Sequence, residues 1–319
     1  MTVSRAVGIA VGFALDRTVG DPARFHPVAG LGRCAAAVER VTHRDHRVAG
    51  GLHHAAVVGP LLAVSVITER ACRRPWQRVA LTAATTWAVV GGRSLVREGE
   101  TIAAQLERDD LPAARQQVTH LVGRDPSALD GPGVARAAVE SLAENTSDAV
   151  VAPLLWGAAL GVPGLVGYRA INTLDAMVGH RNPRYERFGW ASARIDDAAN
   201  LVPSRVSAAL AAVLAPTVSG RPRDAVRAWS RDAGRHPSPN AGPVEAAFAG
   251  ALGVTLGGVN DYAGRIEDRA RMGDGPAPSV ADLARSTRLA TAVAWASAGL
   301  SVLIALAPRR GRRPHRARR

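Results

Sequence analysis

Three acids, Glu140, Glu144 and Asp148, fall at i, i+4 and i+8 in the stretch ESLAENTSDAVVAPLLW. On a helix that spacing turns all three toward one volume, and carboxylates crowded there repel one another unless a cation sits among them. A second polar group follows an apolar run: Asn172 and Asp175 at i, i+3, then Asp196, Asp197 and Asn200, with Arg169, Arg181, Arg184, Arg187 and Arg194 interleaved. Acid pairs at helical spacing are also what a solvated face with arginine partners looks like. Two such clusters flanking one hydrophobic segment raise the chemical reading to equal standing. Carboxylates suit a hard divalent metal, arginines suit phosphate, and Asn, Ser and Thr orient ligands, so the residue set is one for handling phosphates.

Other chemistries drop out. The sequence contains no lysine, so its 40 basic residues are arginines and no GxxxxGK[ST] loop exists. GxSxG, HExxH and a GxGxxG following a strand are also missing. The net charge of +13 would suit nucleic acid, anionic lipid or phosphorylated substrates. The arginines are spread over every loop instead of forming one patch with interleaved aromatics, which argues against nucleic acid. Two cysteines, Cys34 and Cys72, lack any CxxC spacing, so neither a disulfide framework nor a zinc site is expected.

The elements that must position these residues are written in small apolar side chains. Hydrophobic residues make up 47% of the chain and aromatics only 4%, the composition of closely packed helices. The expected fold is all-α: a polytopic integral membrane helical bundle with broken or re-entrant helices and a helical soluble insertion. One membrane domain covers 1–319, with a polar helical insertion at 93–148 and a basic tail at 308–319. Residues 3–15 read as an uncleaved membrane helix, 49–67 as a span, and 79–92 as too short for an upright one. The stretches 201–218 and 243–259 are apolar but hold Arg205 and Glu245, and Gly253 and Gly257 stand at GxxxG spacing. The last span, 289–307, is the clearest, and the RRGRRPHRARR that ends the chain places it in the cytoplasm by the positive-inside rule. The run 149–168 poses a problem, because a helix crossing the bilayer there would put the two acid clusters on opposite sides. Pro153, Pro163, Gly157, Gly161 and Gly164 interrupt it, so a pair of half-helices that lets both clusters meet is expected.

Several long motifs carry a resemblance: ESLAENTSDAVVAPLLW, YRAINTLDAMVGHRNPRYERFGWASARIDDAANLVPSR, SRDAGRHPSPNAGPVEAAFAGALGVTLGG, GDPARFHPVAGLGR near the start and GRDPSALD before the acid helix. In one colinear order over nearly the whole chain, they resemble the CobD or CbiB family of membrane cobalamin-biosynthesis proteins, the adenosylcobinamide-phosphate synthases. The family commonly has Thr after GRD, where this chain has Pro126. The resemblance implies a ligase that joins adenosylcobyric acid to aminopropanol phosphate or a related amino alcohol through an amide, with ATP and Mg²⁺. Its partners would be these corrinoid and amino-alcohol phosphate substrates, membrane lipid and other membrane enzymes of cobalamin assembly, with no nucleic acid, at the cell membrane in several passes.

With that reaction in view, Asp148, Asp196 and Asp197 are expected to hold metal, and Glu140, Glu144, His180 and His236 to act in catalysis. Asn145, Asn172, Asp175, Arg181, Arg194, Asn200, Arg231, Ser238 and Asn240 are expected to bind ATP or substrate phosphate. The alternative is a membrane transporter or scaffold for corrinoid intermediates, which would require paired inverted repeats that the sequence does not display. A membrane phosphotransferase would need repeated aspartates and glycines along one helix, a pattern also missing.

Overall fold

The structure, a computed structural model, describes residues 2–21, 26–123, 125–180, 182–262 and 265–308, with the backbone alone for 259–262 and 265–268. Arg181 and the basic tail from 309 onward lie outside the described residues.

The chain is an all-α, polytopic membrane protein. Its helices in order are α1 Thr2–Val19, α2 Pro27–Thr42, α3 Arg47–Ala71, α4 Pro75–Val89, α5 Gly92–Glu107, α6 Leu111–Val118, α7 Gly131–Thr146, α8 Ala152–Leu160, α9 Val162–Val178, α10 Trp190–Leu214, α11 Pro222–Asp232, α12 Ala241–Leu252 and α13 Val280–Leu306. Local chemistry sets many of their starts. Asp130 accepts from the Gly133 amide at 2.8 Å to cap α7, Asp110 does the same for α6, and Ser279 and Asp282 form a capping box on α13. Four stretches are long and apolar enough to cross a membrane: Arg47–Ala71, Pro75–Glu107, Trp190–Val218 and Val280–Leu306. The spans expected at 49–67 and 289–307 are among them. Helix α1 forms as expected but falls outside these four.

Two expectations need correction. Residues 79–92 do not stop short: α4 runs on, across a break at Val90 and Gly91, into α5, and the two together make one candidate span. Within the stretch 93–148, α5 thus belongs to a candidate span. Leu95, Ile102 and Leu106 of α5 and Val134, Ala138 and Leu142 of α7 are buried in the largest core. Charged residues on the outer face disguise a face made of Ala, Val and Leu. The apolar stretch 243–259 also fails to continue as a helix. Gly253 adopts φ +71 at the end of α12, a conformation that favours glycine, and the chain then enters an antiparallel hairpin of β1 Leu256–Tyr262 and β2 Arg265–Met272. This small sheet is the one departure from an all-helical fold among the described residues.

The interrupted segment resolves the topological problem. After α7 the backbone widens into a π turn, Ser147–Val151, and then α8 runs to Gly161, where φ is +78 and the chain reverses into α9. Pro153 and Pro163 sit in the first turns of α8 and α9, where a missing N–H costs little, so they begin helices and do not break them. Gly157 meets the Leu165 side chain and Gly164 the Trp156 carbonyl, letting the two short helices lie close together. A charged clamp holds the turn. Arg5 of α1 donates to the Ala158 and Ala159 carbonyls at the C-terminus of α8, both at 3.3 Å, while Glu69 of α3 accepts from the Val162 amide at the N-terminus of α9 at 3.4 Å. Each charge meets the helix end of opposite polarity, and Arg5 and Glu69 are 3.7 Å from each other.

Candidate functional site

The α8–α9 reversal returns the chain to where it left, and the two acid clusters meet. Glu144, Asp148, Asp175, Asp196, Asp197, Asn200, Ser238 and Asn240 line a polar cavity of about 80 Å³, with Ser147 beside them. They come from α7, the π turn, α9, α10 and the loop before α12. Asp196 is buried and held on both oxygens: Asn200 donates to Oδ2 at 2.9 Å and Asn172 to Oδ1 at 3.5 Å. The Tyr168 hydroxyl donates to Asn200 Oδ1 at 2.8 Å, which fixes the amide with its NH₂ toward the aspartate. Asn240 donates to the Asp197 carbonyl at 2.8 Å and accepts from Arg205 at 2.9 Å. The Ser238 hydroxyl accepts from the Asn240 and Ala241 amides, shaping the entry into α12.

The charge balance around this cavity is negative. Burial, with Asp196, Glu144 and Asp175 nearby, pushes the Asp148 carboxyl well above the usual carboxylate range, and Arg169 opposes the shift only in part. Asp175 is pushed up to about 6, first by burial and then by Asp197 and Glu144.

A larger chamber of about 310 Å³ lies alongside, lined by Glu140, Ser141, Glu144, His180, Glu245 and Arg269 among others. The stripe of acids on α7 explains the pairing. Four residues on an α-helix overshoot a full turn by about 40°, so the stripe drifts around the axis. Glu140 faces the large chamber, Asp148 the small one, and Glu144 both. Glu140 accepts from the Gly257 amide at 2.7 Å and lies 3.5 Å from Arg269, which ties the β hairpin to α7. His180 Nε2 donates to the Ala176 carbonyl at 2.8 Å, leaving Nδ1 as the nitrogen able to accept.

Other expected residues lie elsewhere. Asn145 donates to its own helix at the Ser141 carbonyl and lines neither space. Arg194 is exposed and lies 3.6 Å from Asp197. Arg231 does not reach the cavity: its guanidinium donates twice to Asp232, at 2.7 Å each, and to Asp274 at 2.8 Å. Arginine suits such fork geometry as well as it suits phosphate, so sequence alone did not separate the two uses. His236 packs beside Glu245, with Nε2 3.7 Å from the carboxylate. Arg269 was missed by sequence reasoning, because its importance comes from a hairpin that places it against Glu140, which is remote in sequence.

A profile of the family described as CobD/Cbib protein matches residues 9–290. The chain belongs to the CobD/CbiB family. It is 55% identical over 301 residues to a protein named Cobalamin biosynthesis protein CobD from Mycobacterium tuberculosis H37Rv, covering 94% of this chain and 96% of that one. A relative of the same name from Rhodobacter capsulatus is 44% identical over 312 residues, 96% of each chain. One from Chromobacterium violaceum is 41% identical over 310 residues, covering 95% of this chain and 98% of the relative. No solved structure matches. The acid cavity, the larger chamber and the α8–α9 reversal all lie within the span that defines the family.

Proposed function

We propose that this chain acts in cobalamin biosynthesis as a ligase, forming the amide between adenosylcobyric acid and aminopropanol phosphate or a related amino alcohol at the expense of ATP. The observation that carries the reading is the meeting of both acid clusters around one small cavity beside a larger chamber. The family membership and the names of the relatives supply the pathway.

A carboxylate is a poor electrophile, so amide formation requires its activation, most simply as an acyl phosphate. The small cavity has space for an ion and a few waters, since a water takes about 30 Å³ in the liquid, and a nucleotide must lie with only its phosphates at the mouth. Among the described residues no group of three or more His, Cys, Asp or Glu side chains forms a ready metal cage. Mg²⁺ does not need one: it keeps several waters and binds through one or two carboxylates and substrate phosphates. The oxygen-only donors Asp148, Asp196 and Asp197 fit that pattern and would hold the ion, which would neutralise charge on the transferring phosphoryl group. Asn172 and Asn200 keep Asp196 aimed into the cavity. Ser238 and Asn240 are in place to meet a phosphate at its rim, a role in which Arg231, engaged by two carboxylates, has no part.

The test is amide formation by the detergent-purified protein given adenosylcobyric acid, aminopropanol phosphate, Mg²⁺ and ATP, read by mass spectrometry. An ATP-dependent product is expected. Corrinoid binding with no product under any nucleotide would instead favour a carrier or scaffold.

A further inference from the structure

The attacking nitrogen of an amino alcohol reaches the enzyme as an ammonium, which has no lone pair to offer. Something in the larger chamber must take its proton. His236 and His180 are the obvious bases by residue type; His180 lines the chamber but is exposed, with Nδ1 able to accept, whereas the His236 side chain is largely buried, with its Nδ1 engaged by Ser238. The Ser238 backbone N–H donates to His236 Nδ1 at 3.0 Å. The Ser238 carbonyl lies 3.2 Å from the same nitrogen; in the tautomer that accepts the shorter amide bond, Nδ1 carries the lone pair and the ring proton is on Nε2. Nε2 lies 3.7 Å from Glu245 Oε1. In that tautomer the neutral ring has no free acceptor, and it presents a donor to a carboxylate that itself lines the chamber.

The other acids around this space are committed differently. Glu140 already accepts from Gly257 and pairs with Arg269. Glu144 is solvent-exposed and forms the wall shared with the small cavity. Glu245, on the fully buried helix α12, is 3% exposed, and among the described residues its one ion-pair partner is His236. An almost wholly buried glutamate needs a reason to be there. Ser238, the residue that fixes the histidine, also borders the acid cavity, so the arrangement links the two spaces.

We propose that Glu245 is the proton acceptor for the amine substrate and that His236 is its positioning residue; this rests on the ligase reading above. The Glu245 carboxylate takes one proton from the R–NH₃⁺ group. The nitrogen lone pair then forms the C–N bond to the activated carboxyl carbon, and the C–O bond to the activating phosphoryl group breaks, its electron pair leaving with phosphate. The second nitrogen proton passes to the departing phosphate or to water. Burial, and after it Glu140 and Glu144, raise the Glu245 carboxyl well above the usual range, with Arg269 opposing. A base raised in this way is better matched to an ammonium, and the arriving positive charge favours its ionised form.

Methoxyamine separates base catalysis from everything else, because its nitrogen is already neutral near neutral pH. For the wild-type protein with Mg²⁺, ATP and adenosylcobyric acid, transfer to aminopropanol phosphate should lose kcat/KM on the acid side with a limb that transfer to methoxyamine lacks. Glu245→Gln should lower transfer to aminopropanol phosphate by about a hundredfold or more while leaving N-methoxyamide formation within a few fold of wild type. His236→Phe should move the acid limb without abolishing either product. Equal loss of both products in Glu245→Gln, or a shared acid limb in the wild type, overturns the assignment. The wild-type comparison stands even where the variant fails to fold. A wild-type protein that makes neither product refutes the ligase reading itself, a result distinct from either of these.

Discussion

Replacing Arg5 with methionine should loosen the reversal on which the meeting of the acid clusters depends. The guanidinium is about 9% exposed and donates to two terminal carbonyls of α8, each at 3.3 Å. Bonds of that length are worth about 0.5 to 1 kcal/mol each. Its loss also strands Glu69, whose side chain is 19% exposed and 3.7 Å from Arg5. Breaking a buried pair from one side costs roughly 3 to 5 kcal/mol. With Glu69 partly hydrated, a total of about 3 kcal/mol follows, or a lowering of the melting temperature by roughly 4 to 5 °C for a chain of 319 residues. Met keeps the apolar stem's packing, so the effect isolates the charge. The assay is thermal unfolding in detergent of wild type, Arg5→Met, Glu69→Gln and the double variant. Glutamine can still accept from the Val162 amide, so the double variant should recover about 1 to 2 kcal/mol relative to Arg5→Met. A single variant that melts with the wild type, or a double variant no better than Arg5→Met, would refute the clamp.

Three further outcomes are expected. Asp196→Ala should abolish binding of Mg·ATP in isothermal titration while the protein stays folded, and unchanged affinity would remove the small cavity from the nucleotide site. Gly12→Val should destabilise by about 1 to 3 kcal/mol through overpacking, because even a methyl there would meet the Ala83 carbonyl and Thr86 Cβ at 2.5 Å; the melting temperature reports it. Arg231, with help from the Gly273 amide, holds the Asp232 carboxyl below its ordinary value of 3.8. The stability this contributes is complete above the ordinary value and is lost as pH falls through the depressed one. Melting curves of wild type and Asp232→Asn should therefore differ at neutral pH and converge in acid.

The residues of the small cavity were legible because acids and amides at helical spacing leave a local mark, and the need for the clusters to meet followed from the apolar run between them. What held the reversal together was not legible. Arg5 and Glu69 look like ordinary flanks of membrane helices until the fold sets them against opposite helix ends. The burial of α5 and α7 was hidden for a related reason: their inner faces are rich in alanine and small aliphatics, which carry little periodic signal beside conspicuous charges. Gly253 and Gly257 read as a helix-packing pair, whereas one ends α12 and the other donates its amide to Glu140. That distinction depends on backbone conformation and a partner more than a hundred residues away, neither of which spacing encodes. Arg231 shows the opposite error, a phosphate-binding residue type used up by carboxylates.

The clamp on the α8–α9 reversal also has a direction in time. Both of its charges belong to α1 and α3, which leave the ribosome well before Gly161 does. A chain made from its N-terminus has the receptor for the turn in place before the turn exists. Helix α8, which at 9 residues could not hold a helical fold alone, can dock with α9 on arrival instead of waiting for α10 and α13. The half of the molecule that carries no carboxylate of the cavity is thus its assembly jig, and moving Arg5 or Glu69 to the end of the chain by circular permutation would remove that advantage without altering one contact of the finished protein.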